Sequence, residues 1–326
     1  MIRGAVDEVG VRVEQAAAVL GELAERDVPL GPLTTYRLGG PAALLVRPRT
    51  LDDLRRVALA RQASDLPVLV VGRGSNLLVA DAGFVGMAVS VALLDGDLTV
   101  VGAGDRTVAE VGGGAALPVV ARRLASAGWR GFEWAVGVPG SIGGAVRMNA
   151  GGHGSDMASC LDTATVFVLR TGTAAKRDAA SLGLRFRASD LTDDDVVVSA
   201  AIGVRAGDRA DAEAELADIV RWRREHQPGG QNAGSVFVNP VPGEVSAGSL
   251  IDGLGLRGMR IGSAWVSEKH ANFVQAGEGG SADDVRAVVE AVRTAVADAT
   301  GFRLRSEVRL VGFADEGPHD DGGGTP

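Results

Sequence analysis

An α+β fold in three compact units is predicted by three features of this 326-residue chain. With 46% hydrophobic residues it is long enough for two or three domains that each bury a core. Many of its 47 glycines sit beside apolar β-branched runs, the pattern of tight turns in a folded protein and not of a linker. The patterning also resets twice, near residue 95 and again past Gln227-Pro228-Gly229-Gly230.

In the first unit Val13, Ala17, Leu20, Leu23 and Ala24 recur at helical spacing and predict a helix over 13–24. A second helix is predicted over 51–63, behind the cap candidate Thr50. Pro67-Val68-Leu69-Val70-Val71 reads as a buried strand, followed by the loop Gly72-Arg73-Gly74-Ser75-Asn76 and a β-rich stretch to Val91. From Leu98 short strands are broken by Gly-Ala-Gly and Gly-Gly-Gly, a helix is predicted over 118–127, and a glycine-rich loop runs from 137 to 154. Strands over 164–169 and 195–204 and a charged helix over 210–224 complete this larger unit. The third unit reads as a Ser-Val-Phe-Val strand from Ser235, a small helix over 247–254, a strand over 272–275 and an amphipathic helix over 282–297. The expected boundaries are 13–94, joined by a returning strand at 302–312, then 95–224 and 225–301. The acidic, glycine-rich tail 313–326 is expected to be disordered.

Composition removes several function classes. A single cysteine, Cys160, cannot form an internal disulfide, which fits a reducing compartment and excludes zinc sites built on two or more cysteines. There is no run of about 18 apolar residues, and the first residues lack the basic-then-apolar layout of a signal peptide, so a cytoplasmic protein with no membrane span is expected. A net charge of -8 argues against nucleic-acid binding, which needs a basic face. The histidines, His153, His226, His270 and His319, do not pair at metal spacing, so no metal is expected. Hydrolytic chemistry lacks its marks: there is no G-x-S-x-G, no H-E-x-x-H and no P-loop lysine.

Two glycine loops remain open to two readings each. Gly72 to Asn76 follows a strand and can form a nest for a diphosphate or a plain tight turn. The run from Gly137 to Gly152 allows close approach of backbone to a large flat ligand, or a structural turn leading into a short buried helix. A G-x-G-x-x-G match at Gly253, Gly255 and Gly258 follows a helix-like segment and is discounted as a dinucleotide site.

Read in order, several strings resemble the UDP-N-acetylenolpyruvoylglucosamine reductase (MurB) family. They are Thr34-Thr35-Tyr36-Arg37-Leu38-Gly39-Gly40-Pro41-Ala42, the loop from Gly72 to Leu78, and Val138-Pro139-Gly140-Ser141-Ile142-Gly143-Gly144-Ala145 with Met148-Asn149-Ala150-Gly151. Phe186-Arg187-Ala188-Ser189, Asn232-Ala233-Gly234-Ser235-Val236-Phe237-Val238-Asn239-Pro240 and Ala247-Gly248-Ser249-Leu250-Ile251-Asp252 follow, then Ser267-Glu268-Lys269-His270-Ala271-Asn272-Phe273 and Glu307-Val308-Arg309. Each string is modest; the ordered set, spanning residues 34 to 309, is specific.

The resemblance implies a two-domain FAD-binding fold of the vanillyl-alcohol-oxidase type plus a third α+β substrate-binding domain. It implies FAD held without a covalent link, although His153 lies near the cofactor loops, and NADPH as co-substrate. Cofactor positions carried over are Tyr36, Gly72, Arg73, Gly74, Ser75, Asn76 and Leu77, with Pro139, Gly140, Ser141, Gly143, Gly144, Asn149, Ala150 and Gly151. The implied reaction is reduction of UDP-N-acetylglucosamine enolpyruvate to UDP-N-acetylmuramate, a step of peptidoglycan precursor synthesis. Arg187 matches the position that meets the substrate carboxylate, Glu307 one that lies against the same carboxylate, and Ser235 the general acid that protonates carbon. On residue type alone Arg187 and Glu307 read as a routine ion pair and Ser235 as a hydroxyl bonded to backbone. Their joint occurrence within the motif set reverses that order.

His226, Asn239 and His270 match substrate-side positions, His226 standing where relatives often carry a lysine. Some relatives close a tyrosine-bearing loop over the nucleotide, but the one tyrosine here is Tyr36, so the chain resembles the subgroup without that lid. A monomer acting on small molecules is expected. The competing readings are an oxidase on the same FAD fold, or a sugar-nucleotide binding protein without catalysis.

Overall fold

Thr50 opens the Leu51–Ser64 helix with a reciprocal cap. Its Oγ1 accepts from the Asp53 amide at 3.1 Å, while Asp53 Oδ2 accepts from the Thr50 amide at 3.0 Å. The helix turns Leu54, Val57 and Ala58 into a core shared with Leu44, Val46 and Val89. Those come from a four-stranded sheet in the order Glu25–Pro29, Pro41–Val46, Phe84–Ser90, Val68–Val71, whose last pair is parallel with Val68 opposite Met87. The first helix, Ile2–Leu20, starts earlier than its periodicity predicts and passes into a 3-10 turn at Gly21–Leu23. It joins the same core through Ala16, Ala17 and Leu20. The computed structural model describes residues 2–103 and 107–314, with side chains from residue 8 onward; of the tail expected to be disordered from 313, Phe313 is instead buried in a core with the helix Ala282–Thr300, and the rest from 315 lies outside the described residues.

A second sheet is antiparallel, in the order Thr173–Asp178, Leu161–Val168, Asp195–Gly203, Val108–Gly112, Thr99–Val101. Its inner strands Leu161–Val168 and Asp195–Gly203 are largely buried on both faces, while the edge strands are exposed. Val166, Val197 and Ile202 enter one core with Val120, Leu124, Ile142 and Val146 of the helices Leu117–Ser126 and Ile142–Met148. Phe167 and Val196, their neighbours in the chain, point the other way into the core of the first sheet. The helix Arg209–His226 adds Ala212, Leu216 and Ile219. The two sheets thus belong to one compact unit, made of Ala42–Arg73, Val85–Glu225 and the N-terminal segment through Val28.

The other unit takes Pro29–Pro41, Gly74–Phe84 and the chain from His226 on. Its main helix, Ala282–Thr300, buries Val285, Val288, Val289, Val292 and Val296, which share one face at helical spacing. Each such valine contributes roughly 1.5 kcal/mol or more. Ser281 Oγ caps it by accepting from the Asp283 and Asp284 amides at 3.1 and 3.3 Å, and Asp81 Oδ1 accepts from Ala282 at 3.0 Å. The core against this helix draws on a three-stranded antiparallel sheet, Arg260–Ile261, Ala264–Val266 and Val274–Ala276. Leu77–Val79 pairs in parallel with Arg309–Val311, so residues 74–84 pack with the C-terminal unit although they lie within 13–94 of the sequence. The helix Ala247–Gly253 ends at the first glycine of the G-x-G-x-x-G spacing, which therefore marks a helix end and not a strand-to-helix turn.

One expected strand differs. Residues 235–238 form only an isolated bridge between Phe237 and Ser306. The reason is a tertiary contact: the Phe237 amide donates to Asn272 Oδ1 at 3.0 Å and its carbonyl accepts from Asn272 Nδ2 at 2.8 Å, so a side chain takes the bonds a neighbouring strand would need.

Candidate cofactor and catalytic site

In the larger unit Arg187 sits on a turn closed by two bonds of 3.0 Å, from the Arg185 amide to the Ala188 carbonyl and from the Ala188 amide to the Arg185 carbonyl. Its φ is +57°, a left-handed conformation that non-glycine residues disfavour. The guanidinium donates from Nη2 to the Gly151 carbonyl at 3.1 Å. Ser189 Oγ ties the same turn to the Arg147 carbonyl at 2.6 Å. Arg187 is thereby fixed against the segment 147–151, whose residues Asn149, Ala150 and Gly151 the resemblance implies at the cofactor.

The two glycine loops meet within this unit. A Cβ on Gly72 would collide with Ser141 Oγ, so only glycine lets the loops approach. Ser141 is buried and caps the Ile142–Met148 helix, its Oγ accepting from the Gly144 amide at 3.2 Å. The Gly143 amide donates to Gly113 at 2.7 Å, and the Gly140 carbonyl accepts from Leu117 at 3.0 Å. Ala150 uses both backbone groups, donating to Ala145 and accepting from Met157 at 2.9 Å each. Pro139 is exposed. The structural-turn reading therefore describes much of this stretch, with Gly151–Gly152 paired to Ser155–Asp156. Asn149, also expected at the cofactor, has its side-chain amide fully engaged inside the protein: Nδ2 donates to Asp156 Oδ2 at 3.1 Å and to the Arg185 carbonyl at 3.2 Å, and Oδ1 accepts from the Ala158 amide at 2.8 Å.

His153 lies beside this segment with a φ of +53° and its ring edge-on to Trp222 at 5.1 Å. Burial, and then the charge of Arg223, push its pKa below the usual value. Cys160 is a poor nucleophile, its thiol pushed up to about 12 chiefly by burial.

In the smaller unit the structure brings Ser235 and Glu307 onto neighbouring segments. The Glu307 amide donates to the carbonyl of Val236, the residue after Ser235, at 2.7 Å. The Glu307 carbonyl accepts from Asn76 Nδ2 at 2.8 Å, and Arg309 donates to the Asn76 carbonyl at 3.0 Å. Asn76 of the glycine loop thus anchors Glu307, while Leu77 continues into the parallel pair with Arg309. Tyr36, also expected at the cofactor, has a side chain 1% exposed whose hydroxyl donates to the Val274 carbonyl at 3.0 Å, so that side chain is engaged inside the protein. Burial raises its pKa well above the ordinary phenol.

Whether these residues suit an FAD can be judged at the loop itself. Gly74 has a φ of +58° and a Cβ there would strike the Leu33 carbonyl, so this turn is tied closely to Thr34 and Thr35. Among the described residues nothing accepts from the amides of Gly74, Ser75 and Asn76. Thr35 Oγ1, whose own amide donates to Gly74 at 3.3 Å, is buried without a hydrogen-bond partner. Successive open amides beside an orphaned hydroxyl fit the diphosphate of a dinucleotide.

The substrate-side candidates fall in the smaller unit as well. Asn239 Oδ1 accepts from the Ala247 amide at 3.1 Å. The His270 ring meets Phe273 edge-on at 4.7 Å, and its Nδ1 accepts from the Asn272 amide at 3.3 Å. Burial and Arg257 hold its pKa below the usual value. His226 is exposed at the end of its helix. Asn272 was not singled out by sequence reasoning, yet it latches Phe237 through its side chain and accepts Val236 on its carbonyl at 2.9 Å. Its signals were its place in the string Ser267 to Phe273 and a polar residue standing amid the apolar Ala271 and Phe273.

Residues 226–311 match the C-terminal domain of UDP-N-acetylenolpyruvoylglucosamine reductase, and residues 42–176 match an FAD binding domain. The UDP-N-acetylenolpyruvoylglucosamine reductase of Heliobacterium modesticaldum is 40% identical over 91% of this chain and 93% of its own length. That of Acidiphilium cryptum is 42% identical over 89% of this chain and 92% of its own. The crystal structure of the Thermus caldophilus reductase matches with a TM-score of 0.75 at 32% identity, covering 88% of this chain and 98% of that one. The chain has the α+β FAD-binding architecture expected, and it belongs to the UDP-N-acetylenolpyruvoylglucosamine reductase family of FAD-dependent oxidoreductases.

Proposed function

We propose that the protein reduces UDP-N-acetylglucosamine enolpyruvate to UDP-N-acetylmuramate with NADPH as reductant, acting as a cytoplasmic monomer in peptidoglycan precursor synthesis. Among the described residues no helix is long and apolar enough to cross a membrane. The observation that carries the reading is Arg187, a charged residue kept on a left-handed backbone beside Gly151. Strain of this kind persists where the position of a side chain matters more than local stability.

FAD, when bound, would supply hydride-transfer chemistry between NADPH and the enolpyruvyl group. Within the larger unit the close approach of Gly72 and Ser141 suits such a group, and within the smaller unit the amides of Gly74, Ser75 and Asn76 with Thr35 Oγ1 suit a diphosphate. The planar, permanently charged fork of Arg187 binds the substrate carboxylate, where negative charge grows as the double bond is reduced. Glu307 lies against the same carboxylate and supports the enol-like state. The Ser235 hydroxyl gives its proton to the adjacent carbon, a transfer that works when the group is close and dry.

Purified protein tests this directly. It should be yellow, NADPH should bleach it without oxygen, and enolpyruvyl-UDP-N-acetylglucosamine should restore the colour anaerobically. Recolouring by oxygen alone would favour an oxidase and overturn the assignment.

A further inference from the structure

We propose that Asn149 is a positioning residue for Arg187, holding through its side chain the turn that carries the guanidinium; the inference rests on the reading of Arg187 given above. Asn149 is 3% exposed and terminates the Ile142–Met148 helix with a φ of +39°. A helix stop of this kind needs only a left-handed backbone, and glycine serves it best. The side chain does more than stop the helix. Two acceptors, the Arg185 carbonyl and Asp156 Oδ2, face its Nδ2, and one amide, from Ala158, faces its Oδ1. The amide orientation is fixed by that pattern, because the reverse would put oxygen against two acceptors.

The bond to Arg185 reaches the carbonyl that also accepts from Ala188 and so closes the turn around Arg187. Two residues further on, the Gly151 carbonyl takes the guanidinium itself. One short segment, 149–151, therefore grips the turn by its backbone and the arginine by its head. The strained φ of Arg187 has to be over-determined by its surroundings, and Asn149 is the buried side chain that does this from beneath. It is the class of residue whose loss shifts a reacting group without touching it.

The test separates clamp from helix stop. Asn149→Gly keeps the left-handed stop and deletes the clamp; Asn149→Asp keeps the shape and the Ala158 bond but turns an acceptor toward Arg185 and Asp156. The clamp predicts that amide hydrogen exchange at Ala188 quickens by about ten-fold or more in Asn149→Gly. It also predicts that recolouring by the enolpyruvyl sugar nucleotide slows by about 10- to 100-fold, a larger factor than any slowing of bleaching by NADPH. In an Arg187→Ala background, Asn149→Gly should cost little more, since the two act as one unit. Unchanged exchange at Ala188, equal slowing of both half-reactions, or losses that multiply in the double variant would each overturn the inference. Asn149→Asp gives the same readings if the glycine variant folds poorly. Should the unaltered protein fail to recolour with the sugar nucleotide, the reading of the site falls, and the Ala188 exchange alone still decides the clamp.

Discussion

Arg187 sits on a backbone that its residue type resists, φ +57° at the tip of a tight turn, whereas neither Ser235 nor Glu307 has a positive φ. The first is held by side chains, Asn149 and Ser189, and by its own bond to Gly151. The others lie on segments joined main chain to main chain, the Glu307 amide on Val236 and the Val238 amide on Arg305 at 2.9 Å, with Asn272 as latch. The difference teaches where each half is vulnerable. Backbone pairing tolerates changes in side chains, but a strained turn depends on them.

The largest effect expected is at Ser235. Removing the hydroxyl in Ser235→Ala should slow recolouring by roughly 10²- to 10⁴-fold and leave bleaching by NADPH intact, which stopped-flow absorbance separates. Because no strained backbone is involved, thermal stability should hardly move. Next comes the latch: Asn272→Ala strands two buried backbone groups of Phe237 and should cost about 2–5 kcal/mol in denaturant unfolding. A loss near zero would mean that Ser235 is held by its neighbours without it.

A third prediction isolates the strain. Arg187→Gly and Arg187→Ala lose the same guanidinium, so their activities should match, yet the glycine variant should be more stable by roughly 1 kcal/mol. Equal stabilities would show that the turn stores nothing. The smallest effect is with pH. His270 has its pKa held below the usual 6.5 by burial and then Arg257, so the unfolded chain binds more protons in the window beneath 6.5. Stability should fall as pH drops through that window, and His270→Gln should flatten this part of the profile.

Much of this was legible in the residues. The valine stripe of Ala282–Thr300 announces its buried face, Thr50 announces its helix, and the ordered motif strings point to the family. What escaped is long-range. Leu77-Leu78-Val79 looks like any buried strand, and nothing local says that its partner is Arg309–Val311, some 230 residues on. The strand expected from Ser235 is replaced by a side-chain latch because Asn272 reaches its backbone through tertiary contact. Tyr36 and Asn149 stand in cofactor motifs, yet their polar side-chain atoms bond to the protein itself. A motif records that a residue is required without saying what it touches.

The pairing of Arg187 with a carboxylate is tested most directly by comparing the enolpyruvyl sugar nucleotide with its methyl ester as oxidants of the reduced enzyme. The unaltered protein should favour the free acid by about 100-fold, and Arg187→Ala should treat the two alike. A variant that keeps the full preference would contradict the account.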